Sequence, residues 1–230
     1  MIGQLFSLFS GDAGTGQIMF TLTNLAALVF VILFCMSAHE FAHAWMAKKL
    51  GDDTAFQRGR LTLDPMKHLD LFGTLLLLTV GVGYAKPVPV SPGRFNSLKF
   101  KTKRVKKGMA LVAAAGPATN LMIALLFFGL RFLMGTIMVR SIIASGTSGA
   151  MEFAPNDINL ILYMFCDFVA SSNLWLALFN LLPVPPLDGS RILDLFLPLR
   201  ASIWLEHNEH YFRYGLFAVI IALRIIPSIW

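Results

Sequence analysis

Charge is what this sequence has least of. Only 14% of its 230 residues are Asp, Glu, Lys or Arg, against roughly 25% in soluble globular domains. Apolar residues make up 56% and gather in runs too long for a core bounded by water. There are two cysteines, Cys35 and Cys166, both inside apolar runs, which excludes a disulfide scaffold and makes them small packing residues. No internal repeat and no low-complexity tract occurs, so solenoid, collagen and disordered classes fall away. The opening MIGQLFSLFSGDAGTGQ carries no Lys or Arg; it lacks the basic region of a signal peptide and is expected to stay on the chain. The composition predicts an all-α polytopic membrane protein.

The 19 basic residues exceed the 13 acidic ones, but the excess is clustered. Lys99, Lys101, Lys103, Arg104, Lys106 and Lys107 directly precede an apolar stretch, where positive charge marks the cytoplasmic face of a membrane and anchors on anionic lipid. Nucleic acid is not an expected partner; the lipid bilayer is.

About four spans are expected. From Ile18 to Ala47 the only formally charged side chain is Glu40, and at about 1.5 Å per residue this stretch exceeds the roughly 30 Å of hydrocarbon. Lys48, Lys49, Arg58, Arg60 and Lys67 follow it, so its C-terminal end is expected in the cytoplasm. A second span covers about Met109 to Leu130, a third about Asn159 to Leu182, and a weaker fourth about Tyr214 to Trp230, close to Arg213 and Arg224. Residues 68–98 must then enter and leave on one face. LFGTLLLLTVGVGY is too short to cross with ease and is broken by Gly73, Gly81 and Gly83, as in a re-entrant segment. AKPVPVSPGRF follows: Pro87 and Pro89 deprive one edge of an extended strand of its N–H donors, while Val88 and Val90 keep theirs on the other. Such a strand pairs on one side only. Together these elements read as one membrane-embedded domain over 1–230, with a core at about 18–195 and a C-terminal helix at about 211–230.

Inside the first span stands CMSAHEFAHAW, with His39, Glu40 and His43 in the order H-E-x-x-H. Residues four apart share a helix face with Cβ atoms about 5–6 Å apart, so two imidazoles can meet one zinc ion. Glu40, beside the first ligand, is placed to serve as base for a water that the metal activates. A carboxylate and two imidazoles deep in a span are costly unless they serve a site. A catalytic zinc takes a third protein ligand. Asp64, Asp70, Asp167, Asp188, Asp194 and Glu152 are the candidates; depth disfavours Asp167 and Glu152, while Asp188 can fold back on the PVPPLDG turn.

In order and spacing, HEFAH, GRLTLDPMKHLDLFGT, GYAKPVPVSPGRF, AAGPATN and FNLLPVPPLDG resemble the short bacterial site-2 proteases, a family of intramembrane zinc metalloproteases. The likeness covers about residues 30–195. It implies that His39, His43 and Asp188 hold one Zn²⁺ per chain, that Glu40 is the catalytic base, and that Asn180 and Asn120 contact substrate near the metal. It further implies that the re-entrant segment contains a short β hairpin guiding an extended, membrane-spanning substrate, and that the protein resides in a bacterial inner membrane with its site toward the cytoplasm. Leu71 stands where many relatives have Pro, and no PDZ or CBS-like region is seen, so substrate gating is left without a device. Strand addition along Val88 and Val90 fits that role, because an unwound substrate needs replacement hydrogen bonds. Two other classes are a membrane zinc protease using Glu152 or Glu206 as third ligand, and a metal-binding membrane protein or transporter that needs no base. His68 reads as a satisfied interfacial histidine, His207 and His210 as solvated, and Asp167 as in want of a partner. The sequence leaves the oligomeric state open.

Overall fold

The computed structural model describes residues 14–70, 73, 85–95, 101–145 and 157–225, and these are mostly helical. Helix α1 (Thr15–Phe30) passes through a π-helical turn, Val31–Cys35, into α2 (Met36–Lys49). Together they form a stretch from Thr15 to Lys49 long and apolar enough to cross a bilayer, and the expected first span lies within it. Short helices α3 (Thr54–Gln57) and α4 (Pro65–His68) follow, then a 3₁₀ turn at Pro92–Arg94. Next come α5 (Lys101–Ser145), α6 (Ile158–Asn180), α7 (Asp188–Asp194), α8 (Leu199–His207) and α9 (Glu209–Ile225).

Among the described residues, three helices rather than four are long and apolar enough to span: Thr15–Lys49, Val105–Ser141 and Ile158–Asn180. The expected fourth span corresponds in part to α9, which opens with the polar Glu209 and carries Arg213, and residues 226–230 lie outside the described set. No sheet occurs among the described residues. The β hairpin is reduced there to an isolated antiparallel bridge between Leu69 and Ala85, and the apolar heart of the re-entrant segment, 71–72 and 74–84, is outside the described residues.

The chain divides into two compact units, residues 1–35 with 121–175 and residues 36–120 with 176–230. In the first, Phe30 packs its ring 5.8 Å from Phe127 and 5.5 Å from Phe165, joining α1, α5 and α6. Small buried residues, Ala27, Ala124 and Ala170, let the backbones approach, the usual device where lipid removes any hydrophobic drive between helices. Helix α5 runs to Ser145, well past the Leu130 expected as the end of the second span, so Arg131 lies inside the helix. The charge is tolerated because Arg131 Nη1 pairs with Asp167 Oδ1 of α6 and its guanidinium stands 5.7 Å and 5.5 Å from the rings of Phe128 and Tyr163. Asp167 thereby gains the partner that the sequence could not name.

In the second unit, Ala47, Leu50, Phe95 and Val112 form a buried cluster with Met46, Val90 and Met109 against it. The Phe95 ring lies on Gly108 so closely that a Cβ there would overlap it, which fixes the chain entering α5. Lys106 departs from the reading of its run as a solvated anchor. Its ammonium is tucked in and donates to the Asp194 carbonyl at 2.9 Å, the Leu197 carbonyl at 2.8 Å and the Ser202 hydroxyl. It thus caps the C-terminal end of α7 and the turn after it, where a cation is favoured.

Candidate metal centre

Helix α2 carries His39 and His43 on one buried face, one turn apart. Their Nε2 atoms lie 3.0 Å from each other. The Asp188 carboxylate, at the start of α7, places Oδ2 3.3 Å from His39 Nε2 and 3.4 Å from His43 Nε2. Ligand atoms around a tetrahedral ion bonded at about 2.0–2.1 Å sit about 3.3–3.4 Å apart, close to the sides of this triangle. Among the described residues, this is the cluster of three His, Cys, Asp or Glu whose ligand atoms gather within 4.8 Å.

The hydrogen bonding agrees with a cation at the centre. His43 Nδ1 is 2.7 Å from the carbonyl oxygen of Val112; a carbonyl only accepts, so Nδ1 carries the proton and the Nε2 lone pair is turned toward the other two ligands. Asp188 Oδ2 is buried without a hydrogen-bond partner, which is expensive for a charged oxygen unless something positive fills the space. Burial opposes ionisation of Asp188, yet the two imidazoles that face Oδ2 favour the charged form and hold its carboxyl down at about 2. It is therefore an anionic ligand throughout the working pH range.

Two glycines make room. Helix α5 passes over the imidazoles at Gly116, where a Cβ would stand 2.6 Å from His39 Nε2 and nearer still to His43 Nε2. That cradle is open only because the residue is glycine. At Gly189 a Cβ would overlap the backbone of Leu181 and Leu182, so the turn that delivers Asp188 closes against the end of α6 only without a side chain. Close helix packing and room for the site thus fall on the same residue, Gly116. Gly116→Ala is expected to push the imidazoles apart and cost metal binding at least the roughly 10–100-fold typical of disturbed outer-shell partners, while folding is retained. Zinc content by atomic absorption after purification checks this.

The other carboxylates weighed as a third ligand have other employment. Asp64 caps α4, its Oδ1 accepting from the Met66 N–H at 3.0 Å. Asp70 Oδ1 accepts from the Gly73 N–H at 2.9 Å. Asp167 pairs with Arg131 and Asp194 with Lys106. Glu206 is exposed on α8, and Glu152 lies outside the described residues.

Glu40 is half-buried on α2, and among the described residues its carboxylate enters no hydrogen bond or ion pair. Asn120 stands one helical turn beyond Gly116, hence on the same face of α5; it is 1% exposed and its Oδ1 has no hydrogen-bond partner. Asn180 ends α6 and its amide nitrogen donates to the Leu176 carbonyl at 3.0 Å. Val90 packs against the cluster containing Val112, whose carbonyl orients His43, so the extended segment rests on the wall of the centre; Val88 is half-buried. His68 is structural, 1% exposed with Nε2 2.7 Å from the Thr62 carbonyl.

A profile of peptidase family M50 matches residues 27–223. The chain is 38% identical over 208 residues to YwhC of Bacillus subtilis, whose name calls it a zinc metalloprotease, covering 90% of this chain and 84% of that one. It is 29% identical over 204 residues to Rip2 of Mycolicibacterium smegmatis, again named for zinc metalloprotease activity, covering 86% and 66%. Over 147 residues it is 30% identical to the regulator of sigma-E protease RseP of Salmonella typhimurium, covering 60% of this chain and 30% of that protein. No solved protein structure matches the chain.

Proposed function

The chain belongs to peptidase family M50, the site-2 proteases, and from that premise we propose that it cuts membrane-spanning segments of other proteins inside the bilayer. It is an integral membrane metalloprotease with helices fit to cross the membrane. In this reading His39, His43 and Asp188 hold one Zn²⁺ per chain. The supporting observation is that Asp188, far along the chain, lies 3.3 Å and 3.4 Å from the two imidazoles. Zinc held there supplies Lewis acidity that makes a water nucleophilic near neutral pH.

The chain's own groups do the rest. Glu40, adjacent to a ligand and otherwise uncommitted, takes the proton of the attacking water and passes it to the amide nitrogen of the scissile bond. Asn120, with its buried amide on the Gly116 face, donates to the developing oxyanion or to substrate backbone; Asn180, at the end of α6, holds the substrate backbone. The N–H groups of Val88 and Val90 receive a substrate strand once its helix has unwound. The site faces the cytoplasmic side of a bacterial inner membrane, in keeping with Lys48 and Lys49 closing α2.

A purified preparation reconstituted with a fluorescent membrane-spanning peptide tests this. Cleavage is expected to stop when a chelator strips the metal and to return on adding zinc; unaltered cleavage in chelator would overturn the reading.

A further inference from the structure

Two buried charges of the second unit are not used by the metal centre. Asp52 is fully buried and Arg60 is 8% exposed, and no ion pair joins them among the described residues. Charges are costly to bury unless they are bonded. Both are bonded to one piece of backbone. Arg60 Nη2 donates to the carbonyls of Lys86 at 2.7 Å and Pro87 at 3.1 Å. Asp52 Oδ2 accepts from the Ser91 N–H at 2.6 Å, while its Oδ1 accepts from the Thr54 N–H at 3.0 Å and from the Thr54 hydroxyl. The Lys86 N–H donates to the His68 carbonyl at 2.8 Å. The extended segment is thus fastened at Lys86–Pro87 and again at Ser91.

What remains between the fastenings is telling. In an extended chain the N–H and C=O of residues 86, 88 and 90 face one edge and those of 87, 89 and 91 the other. Pro87 and Pro89 have no N–H to give. Lys86 is already taken on the first edge, and among the described residues nothing bonds to the N–H of Val88 or Val90. Between two clamps, then, lies an open edge of two residues, and Val90 is seated on the Val112 cluster that backs His43. Sliding this segment by one residue would reverse both its edges and its side chains.

We propose that Asp52 and Arg60 are positioning residues, which fix the register of the Lys86–Ser91 strand against the metal centre and thereby determine which substrate peptide bond is presented for cleavage. This rests on the protease reading above. Neither residue touches the reacting atoms. They act through the strand: Arg60 holds its entry, Asp52 its exit.

The test uses the full-length protein with Arg60→Ala, Arg60→Lys, Asp52→Ala and Asp52→Asn. Five quantities are measured: zinc per chain, KM and kcat for a membrane-spanning peptide, the cleaved bond by mass spectrometry, and peptide Kd in the non-cleaving Glu40→Gln background. Expected are unchanged zinc, a KM and a Kd each raised about tenfold in the alanine variants, kcat changed less than threefold, and additional cleavage at neighbouring bonds. Arg60→Lys and Asp52→Asn, which keep one hydrogen bond each, should recover part of both the KM and the cleavage fidelity. If an alanine variant fails to fold, the conservative pair carries the measurement. Zinc and kcat falling together in that pair would assign the two residues a structural role and overturn the proposal. So would a single, unshifted cleavage bond at unchanged KM. Failure of the wild-type protein to cleave any membrane-spanning peptide, or cleavage unaltered by a chelator, would instead overturn the protease reading itself.

Discussion

Glu40→Gln is expected to leave zinc bound at about one per chain yet reduce peptide hydrolysis by about 10²–10⁴-fold, the range that a positioned acid–base group contributes. The substitution preserves shape and removes only the ability to carry a proton. Glu40 is not one of the three side chains whose ligand atoms converge, so the metal should be indifferent to the change, and among the described residues its half-buried carboxylate enters no hydrogen bond or ion pair whose loss would disturb the fold. Metal analysis and peptide cleavage on the same preparation separate these two consequences. A fully active glutamine variant would remove Glu40 from the role of base.

Asp188→Ala should act in the opposite order, removing the metal first and activity with it. Two neutral imidazoles offer no charge to balance a divalent cation. The Asp188 carboxylate, the third group of the cluster, offers one. Its loss is expected to lower zinc affinity by more than the roughly 10–100-fold seen when outer-shell partners are removed. Asp188→Asn keeps the volume and should fail nearly as badly, because the missing quantity is charge. Competition with a chromogenic chelator reads both, and retention of wild-type affinity by either variant would remove Asp188 from the ligand set. Gly189→Ala offers a companion measurement, since it leaves the carboxylate intact while preventing the turn from closing on Leu181 and Leu182.

The parts of this site that could be read from residues are those in which neighbours in sequence are neighbours in space. His39 and His43 are one helical turn apart, and any helix brings them together. The first span was legible for the same reason: a run from Ile18 to Ala47 with one formal charge has no soluble alternative. Its partners were harder. Residue by residue, six carboxylates compete for the third position; depth disfavours Asp167 and Glu152, and partners in the structure, Met66 for Asp64, Gly73 for Asp70, Arg131 for Asp167 and Lys106 for Asp194, account for four of the six. The second span was expected to stop at about Leu130, just before Arg131, because a charge in a span looks like a boundary until its counter-ion is seen on another helix. Lys106 was hidden in a basic run whose other members read as lipid anchors.

Gly116 and the pair Asp52 and Arg60 illustrate the limit more sharply. Glycine at 116 is informative only once two imidazoles lie across from it, and a buried aspartate or arginine leaves no local mark on the residues around it.

The sequence by itself determined that the chain enters a membrane and that two imidazoles and a carboxylate share one helix, because hydrophobicity and helical periodicity act over a few turns of contiguous chain. Only the tertiary structure decided which distant carboxylate meets them, and which charges hold the strand beside them. Those contacts depend on how the helices and turns pack, and the cost of burying an unpaired charge selects a partner by proximity in space alone.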